Sequence, residues 1–135
     1  MQDYLFAYGT LRPGLTPPSV RPLVARLHWI GAGSAPGRLY DLGAYPGAIF
    51  DPAAETQIAG GVFALPEDAA SLLKQLDDYE GFSAADNANS LFVRFRVAVR
   101  LADRREIGCW AYGYNREVEQ ASLIVGGDYA KCVIK

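Results

Sequence analysis

Two consecutive alternating segments constrain this chain most. Leu91, Val93, Phe95, Val97, Val99 and Leu101 fall at every second position, and Phe92, Arg94, Arg96 and Arg100 fall between them. Successive side chains of a strand point to opposite faces, so the pattern predicts a long half-exposed strand over 91–101. Glu106 to Tyr114 alternates as well, with Trp110, Tyr112 and Tyr114 together on one face and Asp103 and Arg104 at the turn between the two strands. The pair reads as a β-hairpin.

The rest of the chain adds strands around one helix. Asp3 to Tyr8 is a short apolar and aromatic run that reads as a buried first strand, and the Gly- and Pro-rich stretch from Gly9 to Pro18 reads as a loop. Ser19 to Leu27 suits a short helix with Ser19 as its cap. His28–Ala35 and Arg38–Leu42 read as two strands divided by Pro36-Gly37, Pro46-Gly47 as a turn, and Ala48–Phe50 as a brief strand. Gln57–Leu65 reads as another strand, with a bulge expected at Gly60-Gly61. Pro66 opens the strongest helix: Ala69, Leu72, Leu73, Leu76 and Tyr79 recur at helical spacing, with Glu67 and Asp68 expected in its first turn and Gly81 as its stop. Many strands and few helices place the chain in the α+β class, with a curled or closed antiparallel-rich sheet.

The 135 residues read as one domain spanning 1–135, with 50% hydrophobic residues and a net charge of −2. That balance excludes a disordered chain and offers no global attraction to nucleic acid. The Arg94/Arg96/Arg100 stripe accordingly reads as a solvated strand face rather than a nucleic-acid surface. The N-terminus has neither a basic region nor a long apolar region, and no apolar run is long enough to span a membrane, so the expected location is the cytoplasm. Cys109 and Cys132 form no CxxC pair and read as thiols in a reducing compartment. The single histidine, His28, leaves little room for a zinc site or a histidine-based nucleophile relay, and no cofactor is expected.

Several phosphate and nucleophile motifs fail on inspection. Gly31 to Gly37 has the wrong spacing for a dinucleotide fingerprint, and no phosphate loop or nucleophile elbow is present. Two segments carry more. Asp77, Asp78 and Glu80 gather at the end of the helix, where the dipole disfavours negative charge. This reads either as a solvated acidic end or as a carboxyl group, Glu80, whose pKa is raised toward neutrality as a general base requires. Tyr8-Gly9-Thr10-Leu11-Arg12 leaves a buried strand through a glycine, so its amides either form an ordinary strand exit or point into a cleft to hold a carboxylate or an oxyanion.

Taken together, these segments resemble the γ-glutamylcyclotransferase-like (AIG2-like) family. The resemblance runs from Tyr4 to about Tyr129. It is carried by Tyr8-Gly9-Thr10-Leu11-Arg12, Gly37-Arg38-Leu39-Tyr40, Tyr45-Pro46-Gly47, Leu76-Asp77-Asp78-Tyr79-Glu80-Gly81, Asn89-Ser90-Leu91-Phe92-Val93-Arg94, Trp110-Ala111-Tyr112 with Tyr114-Asn115, and Gly127-Asp128-Tyr129. It implies a small mixed, antiparallel-rich β-barrel with one main and one short flanking helix. It also implies a cavity holding one essential glutamate, which the motif places at Glu80.

The implied reaction converts a γ-glutamyl amide into 5-oxoproline and a free amine, without metal or cofactor. Tyr8, Gly9, Thr10, Leu11, Arg12 and Tyr114 are the implied substrate-binding residues, and Tyr112 shares a face with Tyr114. The partner is a small γ-glutamyl amine or peptide, not a nucleic acid or a membrane. A γ-glutamylamine (isopeptide) substrate and a non-catalytic binding protein on the same fold are the alternatives. The chain departs from the family at Phe92, often tyrosine there, and at Tyr129, often tryptophan.

Overall fold

The computed structural model describes residues 2–9, 16–43 and 45–129. Among the described residues there are seven strands: β1 (Tyr4–Ala7), β2 (His28–Asp41), β3 (Pro46–Phe50), β4 (Gln57–Ala64), β5 (Phe92–Leu101), β6 (Glu106–Tyr114) and β7 (Ser122–Leu123). Among the described residues the helices that flank them are α1 (Arg21–Val24), preceded by a 3-10 turn, and α2 (Ala69–Glu80). The order β2-β4-β1-β6-β5 closes on itself because β5 also pairs with β2, and β3 and β7 extend from β2. Four contacts of the ring are antiparallel and β1–β6 is parallel. The result is the expected small mixed barrel, and closure removes the exposed edges that an open sheet of these strands would present.

The two-residue period of the strands divides the apolar residues into two cores. Phe6, Val62, Val99, Cys109 and Ala111 point into the barrel. Leu5, Ala7, Phe63, Phe92 and Tyr112 point outward, where Leu72, Leu73 and Leu76 of α2 cover them. The hairpin forms as its alternation predicts, in the register Arg94↔Tyr112 and Arg100↔Glu106, with Arg104 in the left-handed region at its turn.

Several expectations are corrected. Pro36-Gly37 does not divide two strands, because β2 runs through it: Pro36 is where β2 changes partner from β4 to β3, so its missing N–H is not needed in either ladder. Pro46-Gly47 belongs to β3, and the turn lies just before it, closed by Leu42 N–H donating to the Tyr45 carbonyl. Gly60 and Gly61 keep regular register, and the irregularity lies in β2 between Trp29 and Gly31. The two glycines are needed for close approach instead: a Cβ on Gly60 would lie 2.5 Å from the Ala7 carbonyl oxygen, and one on Gly61 would lie 2.5 Å from the Trp29 ring.

The segment 19–27 forms only the 3-10 turn and one helical turn, since no side chain caps it and Ser19 does not act as the cap. Helix α2 starts at Ala69 rather than Pro66, leaving Glu67 and Asp68 ahead of its first turn. The Asp68 carboxylate is held by Arg26, so Asp68 receives the helix's first N–H groups only through its backbone carbonyl.

Candidate active site

Helix α2 carries the central carboxyl group to its position. Leu72, Leu73 and Leu76 fix the buried face, and Glu80 lies one turn beyond Leu76 on that face. Gly81 then adopts φ 71°, and the N–H groups of Gly81 and Phe82 bond back to the carbonyls of Asp78 and Asp77. This left-handed cap ends the helix before Glu80 can be carried past the sheet.

Glu80 opens onto a cavity of about 130 Å³. β1 and its exit contribute Phe6, Tyr8 and Gly9, the approach to β3 contributes Tyr45 and Pro46, and β5, β6 and the residue before β5 contribute Phe92, Tyr112 and Leu91. Gly9 allows the walls to close, since a Cβ there would sit 2.7 Å from Pro46. The lining is largely apolar and aromatic, and among the described residues it holds no lysine, arginine or histidine.

That environment sets the chemistry of Glu80. Burial, and then the nearby charge of Asp77, raise its pKa from 4.5 to about 8. The cluster at the end of the helix is therefore not a uniformly solvated acidic end. Asp78 is exposed, Asp77 is paired, and Glu80 is desolvated.

Asp77 belongs to a network the sequence did not reveal. Its carboxylate accepts from Arg94 Nε at 2.7 Å and Nη2 at 3.2 Å, and from the Tyr112 hydroxyl at 2.7 Å. Arg94 also lies over Trp110, with its guanidinium carbon 4.5 Å from the ring centroid, and Arg96 lies over the same ring at 4.4 Å. The solvated arginine face is thus corrected at Arg94, whose side chain is 18% exposed. The hairpin register held the available signal, because it places Arg94 directly across from Tyr112.

The other expected site residues divide. Tyr8 and Gly9 line the cavity with Glu80. The Tyr8 hydroxyl donates to the Tyr112 carbonyl, and burial, with the charge of Glu80, pushes its pKa well up. Thr10, Leu11 and Arg12 lie outside the described residues. Tyr114 does not line the cavity; it stands behind Phe92, their ring centroids 5.4 Å apart. Phe92 is buried between Tyr114 and Tyr45, so the departure from tyrosine there takes one hydroxyl from that wall. Tyr45, Pro46, Tyr79 and Leu91 complete the lining without having been singled out as binding residues.

His28 is exposed at the start of β2, away from the cavity. Cys109 is a free thiol inside the barrel, where burial pushes it up to about 12, and Tyr129 is packed in the same core. Cys132 lies outside the described residues. Among the described residues no group of three or more His, Cys, Asp or Glu side chains is placed to hold a metal, and no helix is long and apolar enough to cross a membrane.

No curated protein matches the chain. Among solved structures, YkqA from Bacillus subtilis superposes with a TM-score of 0.69 at 25% identity, covering 95% of this chain and 39% of its own. The chain thus spans about two-fifths of that protein. An AIG2-like protein from Mus musculus gives a TM-score of 0.66 at 19% identity, with 87% of this chain and 81% of that one covered. A structure described as gamma-glutamyl cyclotransferase gives 0.61 at 16% identity, covering 84% and 67%. The family model described as gamma-glutamyl cyclotransferase, AIG2-like, matches residues 5–131. A match over nearly the whole length, on a closed mixed barrel, settles the kinship: the chain belongs to the gamma-glutamyl cyclotransferase, AIG2-like family.

Proposed function

We propose that the protein is a γ-glutamylcyclotransferase-type enzyme, an acyltransferase or lyase by its bond changes, that releases 5-oxoproline and a free amine from a γ-glutamyl amide. The observation that carries this reading is Glu80: a lone carboxyl group facing an apolar cavity, with its pKa raised to about 8. A group poised there takes a proton and returns it at neutral pH with little driving force lost in either direction.

In the proposed reaction the substrate's α-ammonium gives a proton to the Glu80 carboxylate. The freed amine attacks the γ-carbonyl carbon and forms the C–N bond of a five-membered ring. Glu80 then hands the proton to the leaving nitrogen as the original C–N bond breaks, takes the second proton from the ring nitrogen to leave the lactam N–H, and passes it to the released amine, which departs as its ammonium form and restores the Glu80 carboxylate. The nucleophile is tethered to its target, so the protein's main task is to hold the folded conformer and exclude water. The apolar walls of Tyr45, Leu91 and Phe92 suit that task. Gly9 and the segment that follows it, Thr10, Leu11 and Arg12, are proposed to hold the glutamyl end through backbone N–H groups. A buried free thiol at Cys109 suits a reducing compartment, and the cytoplasm is the proposed location.

The test is 5-oxoproline release from a panel of γ-glutamyl dipeptides, γ-glutamyl alkylamines and γ-glutamyl-lysine isopeptide, with Glu80→Gln as control. Release from at least one member, lost in the variant, supports the reading. Absence of release across the panel, or turnover unchanged in Glu80→Gln, removes it.

A further inference from the structure

A phenol has one proton to donate and two lone pairs to accept with, so the group that takes its proton decides what it shows a ligand. Tyr8 and Tyr112 line the cavity together with Glu80, whose charge helps to raise the pKa of both phenols. Tyr8 spends its proton on the Tyr112 carbonyl and accepts from the Ala48 backbone, which leaves it one lone pair, and Tyr112 gives its own proton to Asp77. Asp77 is not free to turn away, because Arg94 holds both of its oxygens and is itself laid on the Trp110 ring. With both protons committed, the two phenols offer only lone pairs to the space beside Glu80. Tyr45 and Tyr79 are the other titratable residues of the lining. A wall of phenol oxygens beside one carboxyl group suits a donor-rich cation and disfavours a carboxylate.

We propose that Asp77 is a positioning residue: clamped by Arg94, it takes the Tyr112 hydroxyl proton and so makes the wall beside Glu80 a receptor for the α-ammonium group of a γ-glutamyl amine. This rests on the cyclotransferase reading and deepens it. It fixes the orientation of the substrate, with the amino group against Glu80 and Tyr112 and the α-carboxylate directed away from them. An asparagine at position 77 reverses the arrangement. Its single oxygen satisfies Arg94, its NH2 faces the Tyr112 oxygen, and the phenol proton is released toward the cavity, where it opposes an ammonium group.

The experiment uses calorimetric binding of two probes that cannot close a ring. One is S-propyl-L-homocysteine sulfone, whose sulfur stands where the γ-carbonyl carbon of the substrate would be. The other is the same molecule without its α-amino group. The wild-type protein is expected to favour the amino form by roughly tenfold or more. Asp77→Asn is expected to reduce that preference to about threefold or less while binding of the des-amino probe stays within about twofold. Tyr112→Phe, which leaves the Asp77–Arg94 pair in place, is expected to reduce the preference in the same way. A preference unchanged in both variants overturns the proposal. So does an equal loss of affinity for both probes, which makes Asp77 only a structural support. The 5-oxoproline assay separates this from the reaction itself: no release with the amino preference intact removes the reaction and leaves the ammonium receptor, whereas release with an unchanged preference removes the role of Asp77.

Discussion

The two halves of the β5–β6 hairpin share one alternating pattern and have opposite fates. At the far end Arg100 pairs with Glu106, both side chains more than half exposed, at 3.4 Å. At the near end Arg94 occupies the equivalent face, but α2 lies over it, and the arginine is paired at 2.7 Å with an Asp77 that is 14% exposed. A surface pair gains little, because water screens it and both side chains lose freedom. A covered pair has lost its water, so each partner depends on the other. The difference teaches that an exposed-looking stripe becomes part of a site only where another element covers it, and here the covering helix is also the one that delivers Glu80.

The largest expected effect belongs to the covered half. Glu80→Gln is expected to lower 5-oxoproline release by roughly 10²-fold or more with the fold retained, read by turnover together with circular dichroism. The same variant is expected to be more stable than the wild type at high pH. The folded pKa of Glu80, about 8, lies above its ordinary 4.5. Its favourable contribution is therefore fully present below about pH 4.5 and is lost as the pH rises through 8. Urea titrations are expected to show Glu80→Gln exceeding the wild type by up to about 5 kcal/mol at pH 9 and converging with it near pH 4. Convergence at every pH would mean that the carboxyl group is solvated after all.

Arg94→Met tests the ion pair itself. It leaves Asp77 with the Tyr112 hydroxyl alone and is expected to cost about 1–2 kcal/mol in a urea titration. Arg100→Ala is the smallest effect and the control, expected within about 0.5 kcal/mol of the wild type. Equal costs at the two arginines would erase the contrast between the halves.

Much of the frame was legible locally. The alternation of 91–114 pointed to the hairpin and its turn, and Gly81 marked the end of α2 because only a residue tolerant of positive φ closes a helix that way. Punctuation residues misled where tertiary context overrode them. Pro36 sits at a change of strand partner, Pro46 at the first position of a strand, and Gly60 and Gly61 against a carbonyl and a ring. At the site, Glu80, Tyr8 and Gly9 could be singled out because motif residues sit at element ends. The separate fates of Asp77, Asp78 and Glu80 could not, since pairing and burial depend on which strands α2 covers. Tyr114 was placed with Tyr112 by their shared face, which is correct, but the cavity ends at Phe92 in front of it.

The raised pKa of Glu80 is measured most directly by following its carboxyl-carbon NMR signal through a pH titration of the intact protein, assigned by its loss in Glu80→Gln. A midpoint near 8 is expected of a desolvated carboxyl group able to act as both base and acid. A midpoint near the ordinary 4.5 would contradict it, leaving Glu80 a solvated surface acid and the cavity without its base.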